Sequence, residues 1–295
     1  MPQPDSAPAA PAAAAPAPTL RDVVAILERV YDPSWAEPWD AVGLVCGDPD
    51  APVRTVGFAV DPVAAVIEEA LERGADLLVT HHPLFLRGVH GVPATTFKGR
   101  LVHQLIRGGT ALFTAHTNAD SADPGVSDAL ARALDLRDLR PLEARAGNPE
   151  LGIGRVGELA EAEPLARFAA RVAAALPATA GGLRIAGHAE TPVRRVAVCG
   201  GAGDTFFDAV RASGADVYVT ADLRHHPASE AVEAGGPALI DVAHWASEWP
   251  WLEHAAETLR TEVAAAGTPG ATGTNIETYV STLITDPWDA QLPSR

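Results

Sequence analysis

Positive charge is scarce in this chain: 22 Lys and Arg stand against 38 Asp and Glu in 295 residues, a net charge of -16 at pH 7. No run of basic residues supplies the positive stripe that a phosphate backbone requires, so nucleic acid is not an expected partner. The acidic balance also repels anionic ligands at long range, and a phosphate-bearing ligand would need metal or local cationic help. Cysteine is nearly absent. Cys46 and Cys199, one in each half and both in apolar strand-like contexts, read as buried free thiols of a reducing compartment rather than as a disulfide framework. No apolar run reaches the roughly 18 residues of a membrane span. The first 18 residues are rich in Ala and Pro and lack both a basic n-region and a long apolar core, which reads as a disordered tail rather than a signal peptide. A cytoplasmic location without membrane contact is therefore expected.

What the chain does have is a 47% hydrophobic content, and at this length it can bury a substantial core as one large domain or two moderate ones. Thr19 reads as an N-cap with Asp22 at the capping-box position and Leu20, Val23, Val24, Leu27 and Val30 at helical spacing. Strand-like Val56–Val60, a helix ending near Gly74, a strand through Val79, a helix over about 99–106 and a strand at Leu112–Thr114 then alternate, the signal for parallel α/β structure. The second half repeats the first. Gly74-Ala75-Asp76 and Val79-Thr80 reappear as Gly214-Ala215-Asp216 and Val219-Thr220, and Val196 precedes Gly214 by the interval that separates Val56 from Gly74. This predicts α/β lobes of related topology over 19–125 and 191–285, facing one another across a cleft. Residues 126–190 read as a connecting segment with an amphipathic helix near 164–176, flanked by strand candidates near Gly154–Leu159 and Leu183–Ala186, and no evident chemistry. A Gly/Thr-rich loop is expected at 267–275 and a surface tail at 286–295.

Two copies of Ala-His-x-x-x-acid carry the chemistry: Ala115-His116 with Asp120, and Ala243-His244 with Glu248. Each follows a buried-strand run, and Thr80-His81-His82-Pro83 ends another, at the strand ends where α/β proteins keep their sites. Imidazoles and carboxylates converging from separate strands form a metal-site composition. An isolated His-His pair is ordinarily one hydrogen-bonded ring and one exposed ring, but Pro83 favours a turn that lets both face one cleft, and the companion clusters favour ligands. His244 and Glu248 share a face if the chain enters a helix after Val242, with Trp245, Trp249 and Trp251 suggesting enclosure. His116 reads as an orienting partner beside Asp120 rather than as a ligand. His225-His226-Pro227 is displaced past its strand and reads as cleft lining or a helix start, while His90, His103, His188 and His254 have no companion pattern. The glycine turn at Gly200-Gly201-Ala202-Gly203 is able in principle to receive an anion, but it lacks the P-loop and dinucleotide spacings, and a structural role is preferred.

Trp39-Asp40-Ala41-Val42-Gly43-Leu44, Thr80-His81-His82-Pro83-Leu84-Phe85, the segment from Ala115 to Asp120, the block from Gly200 to Asp222 and the segment from His244 to Glu248 together resemble the Nif3-like dinuclear metal-centre family, whose members are named GTP cyclohydrolase 1 type 2 homologues. The resemblance spans about residues 19–290. It implies a Nif3-like fold of two interlinked α/β lobes, metal ligands at His81, His82, Asp120, His244 and Glu248, and two divalent ions per subunit, with Zn, Mn or Fe all compatible. It further implies a toroidal homohexamer with the centres facing its interior. Ala41 stands where the family often has Asn, Ala221 where it often has Gly, and Ala243-His244-Trp245 where Gly-His-Tyr is usual; no ligand is lost, but the substrate cavity is open to change.

Five side chains cannot saturate two ions, so open positions for water or substrate point to catalysis. The leading expectation is a metal-dependent hydrolase of a small molecule. If the family name holds, metal-bound hydroxide opens the guanine ring of GTP, with His116 or His226 as a proton shuttle. The rival is a non-enzymatic metal-binding scaffold or regulatory assembly.

Overall fold

A computed structural model of the chain describes residues 17–266 and 276–292. The expected 267–275 loop and most of the N-terminal tail lie outside them. The first helix, Leu20–Val30, begins at the capping box: Thr19 accepts from the Asp22 amide while the Asp22 carboxylate accepts from the Thr19 amide. Its apolar stripe of Leu20, Val23, Ile26 and Leu27 is buried, so the exposed and covered faces follow helical spacing.

Strands β1 (Gly43–Cys46), β2 (Thr55–Ala59), β3 (Leu77–Thr80) and β4 (Ala111–Thr114) follow, with helices Ala64–Glu72 and Phe97–Gly108 making the crossovers from β2 to β3 and from β3 to β4. The last three strands are parallel, and β3 and β4 are buried at every position, which is why Leu77-Leu78-Val79 and Ala111-Leu112-Phe113 are unbroken apolar runs rather than alternating ones. Cys46, expected to be buried, is only half-buried, because β1 pairs antiparallel to β4 at the edge; Cys199 is buried.

A second sheet is built from β5 (Arg137–Arg145), β6 (Asn148–Pro164), β7 (Arg184–Ala186), β8 (Pro192–Ala202), β9 (Val217–Ala221) and β10 (Ala238–Val242), in the order β5-β6-β8-β9-β10-β7. The segment 126–190 is thus more than a connection. It contributes three strands, two of them where strands were expected, and β6, buried through most of Leu151–Leu159, pairs antiparallel to β8 and packs on the helix Leu165–Ala175. The last strand, β11 (Glu277–Val280), does not extend this sheet but returns to the first one, completing the order β1-β4-β3-β2-β11. The architecture is mixed α/β, with two interlinked lobes of related topology.

The repeat has a structural cause. Gly74 and Gly214 both end a helix in the left-handed conformation, at φ 64° and 69°, where a side chain would be strained. The following Asp then clamps the preceding strand: Asp76 accepts from the amides of Arg54 and Thr55, and Asp216 from those of Arg194 and Arg195. Both aspartates thereby fix the start of a parallel pair, Val56 opposite Leu77 and Val196 opposite Val217. Among the described residues no helix is long and apolar enough to cross a membrane.

The lobes meet around helix Val126–Ala133, where Arg155 of β6 lies 2.6 Å from Asp128 with both side chains buried. Arg155 also donates to the carbonyls of Gly152, Gly154 and Ala122, and Asp128 accepts from the Gly125 amide, so neither charge is left with empty valences. Replacing Arg155 by Ala strands the Asp128 carboxylate and three carbonyls. The variant is expected to lose about 3–5 kcal/mol of stability, read as a lowered urea midpoint; an unchanged midpoint would remove this pair from the joint.

Candidate metal centre

The parallel strands deliver the chemistry to one edge. His81 and His82 follow β3, and the turn they form is closed by the Thr80 hydroxyl donating to the His82 carbonyl at 2.9 Å, with the His81 and His82 amides donating to Ala59 and Val60. The rings sit 5.1 Å apart and share one face, as Pro83 leads one to expect. After β4, the short helix Thr117–Ser121 is capped by His116, and Asp120 lies on its first turn; the spacing that allows either loop or helix resolves to helix. After β10, helix His244–Glu248 places its two end residues on one face, with His244 Nε2 3.0 Å from Glu248 Oε1.

All five residues of the expected ligand set meet between the lobes. His81 Nε2 lies 3.4 Å from Glu248 Oε1 and 3.8 Å from Asp120 Oδ1, and His82 Nε2 lies 3.2 Å from Glu248 Oε2. Two groups have donor atoms close enough to share an ion: His82 with His244 and Glu248, and His81 with His82 and His116. His116 therefore reaches ligand distance rather than standing behind the others. His226 does not: it is exposed at the start of helix His225–Glu233, its ring against that of His225, and it does not line the cavity beside the cluster.

A second set of residues, unmarked by any motif spacing, aims the rings. Each of the four imidazoles directs Nδ1 to an acceptor: His81 to the Ala115 carbonyl at 3.0 Å, His82 to Asp61 at 2.7 Å, His116 to Asp40 at 2.8 Å and His244 to Asp222 at 2.7 Å. An acceptor at Nδ1 puts the ring proton there and turns Nε2 inward as the donor atom for a cation, the arrangement found around metal-bound histidines. Strand register could have revealed two of these partners. Asp61 and His82 each lie two residues beyond β2 and β3, whose ends Ala59 and Thr80 are paired, and Asp222 and His244 lie just beyond Ala221 and Val242, also paired. Asp61 is itself held from outside, by the Thr285 hydroxyl. Asp40 is gripped by the amide and hydroxyl of Thr117; although burial pushes its carboxyl up, hydrogen bonds from His116 and Thr117 hold it below the usual range.

The donor set fits a cation. With Nδ1 protonated on both rings, the Nε2 lone pairs of neutral His82 and His244 face each other at 3.2 Å, which is tolerable only with a proton or cation between them. Glu248 is buried, and its Oε2 has no hydrogen-bond partner. Burial opposes ionisation of Glu248, but His82, His244 and His81 outweigh it and keep the carboxyl well below its ordinary range. Burial likewise lowers the two facing imidazoles, yet Glu248 with Asp61 lifts His82 to about 10, and Glu248 with Asp222 lifts His244 to about 11. Burial pushes Asp120 upward against the neighbouring histidines.

Gly201 explains the glycine turn. It is left-handed at φ 69°, and a Cβ there would stand 2.5 Å from Glu248 Oε1 and 3.2 Å from His244 Nε2. The amides of Gly200 and Gly201 are already donated to the hydroxyls of Ser127 and Ser247, so neither is free for an anion. A cavity of about 410 Å³ opens beside the cluster, lined by His116, Asp120, His244 and Glu248 together with Trp39 and this turn.

A sequence model of the Duf34/NIF3 (NGG1p interacting factor 3) family matches residues 18–287. A Streptomyces coelicolor protein named GTP cyclohydrolase 1 type 2 homolog is 53% identical over 279 residues, spanning 94% of this chain and 96% of that protein. Among solved structures, a Staphylococcus aureus hypothetical protein superposes with a TM-score of 0.83 at 27% identity, covering 92% of this chain and 99% of the other. A Bacillus cereus protein related to NIF3 superposes at 0.84 with 24% identity, covering 92% and 98%, a likeness of fold.

Two outcomes are expected. Gly201→Ala should weaken divalent-metal binding by roughly 10–100-fold, the scale for disturbing groups that orient ligands, while far-UV circular dichroism stays native; unchanged affinity would separate Gly201 from the centre. Metal uptake should also release protons. Against burial, Glu248, Asp61 and Asp222 raise both imidazoles, so the metal-free His82–His244 pair holds a proton between its facing nitrogens through the neutral range; a cation must displace it, and affinity therefore rises with pH there. Calorimetry in two buffers of different ionisation enthalpy counts those protons, and a count of zero would contradict the arrangement.

Proposed function

The chain belongs to the Duf34/NIF3 family, and on that premise we propose that the inter-lobe cluster holds divalent metal and that the protein is a metal-dependent hydrolase of a small molecule. One observation carries the reading: four imidazoles are pinned at Nδ1 so that their free nitrogens and a buried, unpartnered carboxylate oxygen converge beside an open cavity. His81, His82, His116, Asp120, His244 and Glu248 would hold the metal, and the two donor groups sharing His82 support a pair of ions. Divalent cations so placed lower the pKa of water and stabilise negative charge on an attacked group.

The chain's own residues divide the remaining work. Glu248, drawing on both lobes, keeps the donors together without solvent, and His81 is shielded almost completely. Asp40 fixes the His116 ring at the cavity wall, where its Nε2 is suited to take and return a proton whenever it is not engaged by a cation. Asp222, more than half exposed, leaves the His244 side of the site the one nearest solvent. The name of the Streptomyces relative makes guanine nucleotides the first substrates to try, with opening of the guanine ring as the finer form of the proposal.

The expected result is turnover that disappears on chelation, returns with Zn, Mn or Fe, and is lost in His244→Ala together with bound metal. Product release would be followed by chromatography across nucleotides, nucleosides and simple esters. Fully loaded wild-type protein that turns over none of them would favour a metal-binding scaffold instead.

A further inference from the structure

The cavity beside the donor cluster offers means to grip a flat, donor-bearing ring and, among its described lining, no cationic side chain to grip a phosphate chain. Trp39 lines it and remains 58% exposed, unusual for so large an apolar side chain. Its indole meets His116 edge-on, with centroids 6.0 Å apart and planes at 78°, a geometry that leaves an indole face available for stacking. Glu37 and Glu143 also line the cavity, and neither carboxylate has a hydrogen-bond or ion-pair partner among the described residues. Ionised carboxylates only accept, so they call for N–H or O–H groups on the ligand.

Phosphate finds the opposite. No lysine or arginine lines the cavity among the described residues, and its ionisable lining is four carboxylates, two histidines and the Cys199 thiol. Basic side chains on the adjoining segments are committed: Arg145 donates to the carbonyls of Ser34 and Trp35, and Arg224 pairs with Asp204. The turn that might have received an anion spends its first two amides on serine hydroxyls. Glu248 and Asp120 would offset only half the charge of two divalent ions, so metal is the one anchor left for a phosphate, and a polyphosphate reaching it would meet Glu37 and Glu143 and the field of a strongly acidic chain.

We propose that the ligand of this cavity is an unphosphorylated planar nitrogen heterocycle with N–H donors, stacked on Trp39 and read by Glu37 and Glu143. This rests on the reading of the cluster as a hydrolytic metal centre, and it narrows the substrate to the ring itself.

Calorimetric binding to the full chain loaded with Mn or Zn tests it, with metal content measured before and after so that chelation is not mistaken for binding. The probes are guanosine, adenosine, pterin, GTP and inorganic triphosphate. At least one unphosphorylated ring should bind as tightly as GTP or tighter, triphosphate should not displace it, and Trp39→Ala should weaken it tenfold or more while Trp39→Phe retains most of the affinity. GTP binding tenfold tighter than every unphosphorylated ring would overturn the proposal, as would displacement by triphosphate or failure of all three rings to bind. Turnover is scored separately. Ring binding without hydrolysis removes the enzyme and keeps this ligand class, whereas hydrolysis without ring binding does the reverse.

Discussion

A buried carboxylate shared between two halves of the chain organises this molecule. Glu248 comes from the second lobe yet touches His81 and His82 of the first as closely as a salt bridge, and His244 of its own helix besides. An isolated carboxylate at that depth would be neutralised or expelled. Three imidazoles outweigh the desolvation, and the lobes must therefore approach until those rings surround it. Much of the local sequence follows from that approach: a residue without a side chain at 201, a serine at 247 that ties the Gly201 amide to the start of the helix, and a tight turn after β3.

Orientation is solved by the sheets rather than by the loops that carry the ligands. Paired strand ends put Asp61 beside His82 and Asp222 beside His244, so the hydrogen bond that selects each tautomer is inherited from β-ladder register. The Asp76 clamp sets the register at the opposite end of the first of these ladders, while the Asp216 clamp sets that of β8 on β9, the ladder next to the second. A slip of one residue would turn both ladders over, and the ligands with them.

These relations also mark where sequence reading succeeds and stops. Parallel strands were legible because strands buried on both faces leave continuous apolar runs, and the convergence of His81, His82, Asp120, His244 and Glu248 was legible because they stand at the ends of such runs. Asp61 and Asp222 were not, since each lies about twenty residues from its histidine, a distance that carries no meaning until β2 and β3, or β9 and β10, are known to be neighbours. His116 was read as an orienting partner because a carboxylate such as Asp120 can bridge two ions, and only the fold brings the His116 ring to ligand distance. β6 was legible only in its buried middle, near Gly154–Leu159, and β5 was hidden because its mostly exposed, polar residues look like a linker. Arg155 gave no signal at all, since its partners are mostly carbonyls.

The return of β11 to the first sheet has a consequence in time. A chain leaving the ribosome presents β2 and β3 before the strand that covers the free side of β2, which follows the whole of the second sheet. The same late segment brings Thr285 to Asp61 and the Ser281 carbonyl to the Trp249 indole. During synthesis, then, the first lobe carries an open strand edge and an unsecured His82 while the whole second lobe is being translated. The donor cluster is therefore complete only after the chain through Thr285 has been made, so the first lobe's imidazoles wait for the second lobe before their geometry is fixed.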